Sequence, residues 1–426
     1  MESSPQQSPR RVTRRTLLSG TAALFAGSAA AEIAPASESQ NEGRISADVL
    51  VVGGGTAGTI AAIQAARLGA RTVLIEQGSQ LGGTMTTGGV NFPGLFCAWG
   101  RQIIAGIGWE LVKATVELQC GSLPDFSKST WPALRKHPQF QVRLSAGLYA
   151  AIAEEACVQA GVALRYYEFP LSIRQTPDGW LLEVVGKGTR AEVHCRQLID
   201  CTGNASVTGM AGLALQREAE TQPGSICFTL DPAGQTKNQL YVFGADSSTS
   251  ETHTAANIAG RKTVLEYFRA LKGRSETGDI KLLDLRPETA VRETYRIVGE
   301  TTVTKEDYEG GRIYPDAVAF AYYPIDLHTR EGVRPQHLKE GTIPTIPLSA
   351  LVPKGSTNLL VAGRCISSDR LANSALRVQA SCMAMGQASG AAAALAASSG
   401  VTPLAVPLET LRAALCQHGA IVPDVK

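Results

Sequence analysis

Three glycines at Gly53, Gly55 and Gly58, within the run Gly53, Gly54, Gly55, Thr56, Ala57, Gly58, have the spacing that holds a pyrophosphate against backbone. Gly53 permits a tight turn, Gly55 lets the main chain approach phosphate oxygens with no Cβ in the way, and Gly58 allows a helix to pack closely on a strand. Glu76, followed by Gln77, stands where such loops place the acid that accepts hydrogen bonds from ribose hydroxyls. A second chemical set is Tyr322, Tyr323, Pro324, Ile325, Asp326, Leu327, His328. Phenol, carboxylate and imidazole together can orient an alcohol or acid and take its proton. We expect His328 as the base, with Tyr323 beside it. Arg292 and Arg296 share one face if their segment is helical and could anchor an anion. Ion pairs of these arginines with Glu293, Glu300 or Asp326 are an equally good reading.

Glycine spacing alone is a weak signal, and the flanking elements give it weight. Asp48 to Val52 is a continuous apolar run, Thr56 to Gly69 a small-residue helix closed by glycine, and Arg71 to Glu76 a second apolar run. Strand, glycine turn, helix, strand is one βαβ unit of a buried parallel sheet. Ala146 to Gly161 has helical spacing and leads into a strand at Val162 to Tyr166. Leu171 to Gln175, Trp180 to Val185 and Glu192 to Cys195 read as short strands, with a hairpin turn at Pro177, Asp178, Gly179. Leu198 to Thr202 and Asn358 to Ala362 are further apolar strands, and Gln379 to Ser398 is a long alanine-rich helix. Between about 216 and 344 prolines and charges loosen the pattern.

Of 40 basic and 38 acidic residues, the first 31 positions hold four arginines and one glutamate, leaving a near-neutral body of 36 and 37. A neutral body gives no electrostatic footprint for nucleic acid. Nine widely spread cysteines with no Cys-x-x-Cys pair argue against a zinc site or an iron–sulfur cluster. Most are expected as buried small apolar residues, although an exported protein could form a disulfide. The start reads as a twin-arginine export signal: Thr13, Arg14, Arg15, Thr16, Leu17, Leu18, then an apolar stretch to Ala31. That stretch falls short of the roughly 20 residues that span a bilayer. A periplasmic or extracellular location, and no stable membrane span in the mature chain, are therefore expected.

Three more segments point to FAD rather than a nicotinamide nucleotide. Gly82, Gly83 and Thr84 form a turn able to pass under a bound cofactor. Leu198 to Gly203, including Thr202, looks like the late strand of a FAD domain, and Asn358 to Arg364, including Gly363, like the strand and turn beside the pyrophosphate. With Leu351 to Gly355, Arg292 to Glu300 and the helix around Gly386, Gln387, Ala388, Ser389, Gly390, these motifs resemble the FAD-dependent oxidoreductase family, relatives of the glutathione-reductase-like flavoproteins. The resemblance runs from Asp48 to about Ser399.

It implies an α/β fold, a Rossmann-type (GR2-like) FAD-binding domain split by an inserted substrate or cap lobe. We place a signal peptide at 1–31, a linker at 32–46, the discontinuous FAD domain at 47–90, 141–215 and 345–426, and the lobe at 91–140 and 216–344. FAD, a small-molecule substrate and a separate electron acceptor are the implied partners. Gly386, four residues before Gly390, with Ala384, Ala388 and Ala391, lets a bulky partner approach the last helix. A helix start aimed at the flavin would favour the charge that reduction brings; an alanine-rich packing helix is the plainer reading. Where relatives place a histidine and a glutamate, this chain has Arg370 and Leu371, so a shared substrate does not follow. A nicotinamide-dependent dehydrogenase and a non-redox hydratase or isomerase are the rival readings.

The export signal predicts that a reporter fused behind residues 1–46 leaves the cytoplasm; retention with Arg14 and Arg15 intact contradicts it.

Overall fold

A computed structural model of the chain describes residues 43–131, 133–231, 238–274 and 279–424. The expected export signal and most of the linker lie outside these residues. Strand β1 (Gly43–Val52) begins four residues ahead of the expected start at Ala47. Helix α1 (Thr56–Arg67), strand β2 (Thr72–Glu76), helix α2 (Ile107–Leu118) and helix α3 (Ala146–Gln159) follow. Then come β3 (Ala163–Tyr166), β4 (Glu168–Thr176), β5 (Gly179–Gly186) and β6 (Thr189–Asp200).

These strands form one sheet in the order β3-β2-β1-β6-β5-β4, parallel from β3 to β6 and antiparallel through the β4–β5–β6 hairpins. Two expected strands, Glu192–Cys195 and Leu198–Thr202, are one continuous β6. Its first half pairs with β5 and its second half with β10 (Leu359–Val361). The polar pair Arg196 and Gln197 reads as a break in sequence, yet Gln197 is buried, with Nε2 placed 3.4 Å from Asn358 Oδ1.

Residues beyond 216 supply a second, antiparallel sheet of β7 (Gly224–Asp231), β8 (Gln239–Val242) and β9 (Lys281–Leu285), ordered β8-β7-β9. Alternation divides its faces. Ile226, Phe228, Leu230 and Val242 pack with Ala256, Val264 and Leu271 of helix α4 (Ser250–Lys272). Ser225, Cys227, Thr229, Gln239 and Tyr241 belong to the opposite, polar face. Helix α4 starts at a reciprocal cap between Thr249 and Thr252.

The chain closes with β10, α5 (Arg370–Leu376), α6 (Gln379–Ser399) and α7 (Leu408–Gln417). Helix α6 is buried along almost its whole length, and α1 lies against it. A Cβ on Gly386 would stand 2.2 Å from Ala57 O, and one on Gly390 2.3 Å from Ala61 O. The partner that this small-residue stripe admits is therefore the backbone of α1. No described helix is long and apolar enough to cross a membrane.

Gly390→Val should destabilise the folded chain by at least about 1–3 kcal/mol, because the helix backbones must part to fit a side chain. The thermal midpoint of the purified protein reads this, and an unchanged midpoint contradicts the packing.

Candidate functional site

At the carboxyl ends of β1 and β6 the glycine loop is held against backbone at Gly53 and Gly58. Gly53 takes φ +100°, a conformation open to glycine, and a Cβ there would meet Cys201 O at 2.5 Å. A Cβ on Gly58 would lie 1.8 Å from Gly53 O. Gly55 differs: nothing stands within 4 Å of its Cβ position. Its side of the loop is open. Helix α1 also begins with no side-chain cap and no acidic residue in its first turn, leaving its positive end for an anion.

The Gly82, Gly83, Thr84 turn crosses over this loop. Gly82 N donates to Gly54 O at 2.8 Å, Thr56 Oγ1 to Gly82 O at 3.2 Å, and a Cβ on Gly83 would come 3.0 Å from Gly55 Cα. Glu76 accepts from Gly54 N at 2.7 Å and Gly78 N at 2.6 Å, one bond per oxygen, so further lone pairs remain for hydroxyl donors. Burial pushes this carboxyl above its ordinary range against the pull of those two bonds. Gln77 follows directly. Thr202 Oγ1 binds Asp200 Oδ1 at 2.7 Å and receives Ser206 N at 3.0 Å, fixing the turn at Gly203. Gly363 comes in from β10, its Cβ position 3.3 Å from Ala57 Cβ. The sequence motifs at 53–58, 76, 82–84, 202–203 and 363 thus converge on one cradle that fits a dinucleotide.

Three expected cofactor residues have different surroundings. Arg364 donates to Gly203 O at 2.7 Å and Asn204 Oδ1 at 2.8 Å and also reaches Val291 O, so it ties the cradle to the segment carrying Arg292. Ala388 is fully buried within α6. Gln387 accepts from Ile107 N and donates to Gln64 Oε1 and His418 O, which directs its amide toward α7.

A polar cluster lies on the other side of Val291. His328 Nε2 sits 2.9 Å from Asp326 Oδ2, and its Nδ1 2.7 Å from the Tyr241 hydroxyl. Burial raises the Asp326 carboxyl, but the His328 bond and the charges of Arg377 and Arg292 outweigh it and hold Asp326 below its ordinary value. An ionised carboxylate only accepts, so Nε2 carries a proton and neutral His328 accepts the Tyr241 O–H at Nδ1. Burial, with Arg292 and Arg377, lowers the imidazole pKa, and Asp326 opposes that shift.

Arg292 and Arg296 do not share a helix face, because their segment is extended. Arg292 donates to Pro223 O at 2.7 Å and Ser225 Oγ at 2.9 Å and lies over the Tyr241 ring at 5.4 Å. Burial and neighbouring Arg377 lower its pKa to about 10, which leaves it cationic at neutral pH. Arg296 is instead enclosed: it pairs with Glu218 at 2.9 Å and Glu293 at 3.3 Å and donates to Ser368 O. Arg370 joins the same buried Glu293 carboxylate at 3.0 Å, so the departure at this position builds an ion-pair network. Leu371 packs on the main core.

Tyr323 is buried, its phenol pushed up to about 12 by burial and Asp326. Its hydroxyl accepts from Gln141 Nε2 at 3.1 Å, and its backbone is clamped by the Tyr308 hydroxyl at 2.9 and 3.0 Å.

The residues not anticipated from sequence are Tyr241, Gln222 and Arg377. Gln222 Oε1 accepts from His328 N at 3.1 Å and Arg377 at 3.4 Å, and Arg377 also reaches Asp326 O at 3.2 Å. Gln222 Nε2 and Arg377 Nε are buried without a bond among the described residues. Two such donors suit a ligand oxygen. The alternation of Gln239, Leu240, Tyr241, Val242 was the one available signal for Tyr241.

A family model described as FAD dependent oxidoreductase matches residues 48–254 and 233–415. Among solved structures, the chain is similar over 88% of its length to the anhydrotetracycline hydroxylase OxyS of Streptomyces rimosus, at 12% identity and a TM-score of 0.44. It spans 66% of that hydroxylase, just under two thirds. A geranylgeranyl bacteriochlorophyll reductase-like protein of Thermoplasma acidophilum is similar over 87% of this chain and 83% of its own, at 14% identity and a TM-score of 0.42. Likeness at this level carries no functional assignment.

Gly55→Ala should still fold, at a cost of about 0.5–1 kcal/mol because alanine is a poorer helix N-cap than glycine, since the backbone at Gly55 (φ −65°, ψ −174°) is open to alanine and its Cβ position is unobstructed. Its FAD affinity should nevertheless fall about tenfold or more, near 1.4 kcal/mol. Equal retention of FAD by variant and wild type, read by absorbance after dialysis, contradicts the cradle.

Proposed function

The chain belongs to the FAD-dependent oxidoreductase family, and on that premise we propose that it oxidises a small organic substrate by hydride transfer, with His328 drawing the proton through Tyr241. FAD bound in the glycine cradle supplies the hydride acceptor, flavin N5. The rest of the reaction falls to side chains. As the substrate C–H bond breaks, its O–H proton passes to the Tyr241 oxygen while the Tyr241 proton moves to His328 Nδ1, and a carbonyl remains. Asp326 holds the imidazole by Nε2 and favours the imidazolium that forms.

The observation that carries this reading is the occupation of both His328 nitrogens, by Asp326 at 2.9 Å and Tyr241 at 2.7 Å. His328 has no ring nitrogen left for direct contact with substrate, so the phenol is the group that meets it. Arg292 lies over the Tyr241 ring at 5.4 Å and holds it in place. Arg292, rather than the enclosed Arg296, stands at the reacting end, against the Tyr241 ring. Gln222 Nε2 and Arg377 Nε are donors for the oxygen on which charge develops. Tyr323 lines the same region beside Asp326.

An anaerobic substrate screen followed by flavin bleaching identifies an oxidisable compound. With that compound, His328→Ala and Tyr241→Phe should each slow bleaching about 10²- to 10⁴-fold. Unchanged bleaching by either variant removes that residue from proton transfer.

A further inference from the structure

A cleft of about 220 Å³, which shares no lining residue with the His328 cluster, is lined by Asn91, Phe92, Arg143, Cys227, Gln239 and Arg286, among others. Register connects the two places. Ser225 faces Tyr241 across β7 and β8, and Cys227 faces Gln239 two pairs further along, so all four side chains share one sheet face. Ser225 and Tyr241 meet Arg292 and His328; Cys227 and Gln239 floor the cleft. Burial pushes the Cys227 thiol up to about 11, against the pull of Arg292 and Arg286, so it is neutral at physiological pH. The cleft's charged groups are Arg143, exposed and 5.4 Å above the Phe92 ring, and Arg286, whose Nε faces Asp284 at 3.1 Å. Two guanidiniums against one carboxylate leave the cleft positive.

We propose that this cleft is an anion subsite, and that the substrate is a compact aromatic alcohol carrying a carboxylate at the end remote from its reacting carbon. The carboxylate binds Arg286 and Arg143, the ring lies against Phe92, and the hydroxyl reaches Tyr241. Gln239 and Tyr241 stand two positions apart on β8, a rise of about 7 Å. A ring with a hydroxyl at one end and a carboxylate at the other follows that direction, from Tyr241 toward the cleft that Cys227 and Gln239 floor. The proposal rests on the reading of Tyr241 and His328 as the proton-accepting pair.

The test uses the FAD-loaded chain with 4-(hydroxymethyl)benzoate and its neutral amide, 4-(hydroxymethyl)benzamide. Calorimetry reads binding, and anaerobic bleaching reads the reaction. The acid should bind at least tenfold more tightly than the amide. Arg286→Ala and Arg143→Ala should each weaken the acid tenfold while shifting the amide less than twofold. Arg143 is exposed, so its variant reports even if the Arg286 variant folds poorly. Equal binding of acid and amide, equal losses of both in the variants, or binding of neither overturns the anion subsite. Arginine-dependent binding of the acid without bleaching supports the subsite and contradicts the proposed reaction. Bleaching by acid and amide alike, with no effect of either arginine, does the reverse.

Discussion

The first turn of α1 can exist only where backbone meets backbone with no side chain between. Gly53 lies against Cys201, Gly58 against Gly53, and Gly386 against Ala57, each at a distance that a Cβ could not survive. These contacts draw the helix start onto the ends of β1 and β6 and hold α6 along its flank. With that turn fixed, its open side is also fixed, and Gly55 faces it. Close packing leaves little freedom to relax, so the cradle is set by the fold before any ligand arrives. The same closeness delivers Gly363 and Arg364 from the far end of the chain to the loop near its beginning.

Arg364 then links the two halves of the chemistry. Its guanidinium spans Gly203, Asn204 and the carbonyl of Val291, one residue from Arg292. Beyond it the cluster carries Arg292, Arg377, Asp326 and His328: Asp326 bonds His328 at 2.9 Å, Arg377 reaches Asp326 O at 3.2 Å, and, after burial, the charges of the two arginines press the Asp326 and His328 pKa values down. Burial, aided by the two arginines, lowers the His328 pKa, and Asp326 keeps the ring oriented. Glu293 supports this set from beneath by binding Arg296, Arg370 and Gln222 N, a buried carboxylate fully matched by donors.

Much of the cradle was legible in sequence because it is built from local signals. Apolar runs of strand length, a glycine turn and a small-residue helix specify the βαβ unit with little help from the rest of the chain. The antiparallel sheet of residues 224–285 was not legible, since its pairing depends on register across a segment with weak periodicity. Tyr241 was missed for that reason: only the pairing of β7 with β8 brings it to His328. Arg292 and Arg296 have helical spacing but sit in extended chain, where a four-residue interval carries no shared helix face. Gly386 and Gly390 announced a close approach without saying of what, because a stripe of small residues admits a helix as readily as a ligand. The break expected between residues 195 and 198 vanished because one strand can serve two partners along its length.

The central claim is that neutral His328, oriented by Asp326, is the proton sink of the site. The pH profile of anaerobic flavin reduction, compared between wild type and Asp326→Asn, tests it most directly. Because the His328 pKa is depressed, wild-type reduction should lose rate only as pH falls below about 6.5, the ordinary histidine value. Removing Asp326 removes the influence that raises that pKa, so the acid limb should move to still lower pH as the overall rate drops. An acid limb that keeps its position in the variant, or that lies above neutrality in the wild type, contradicts the account.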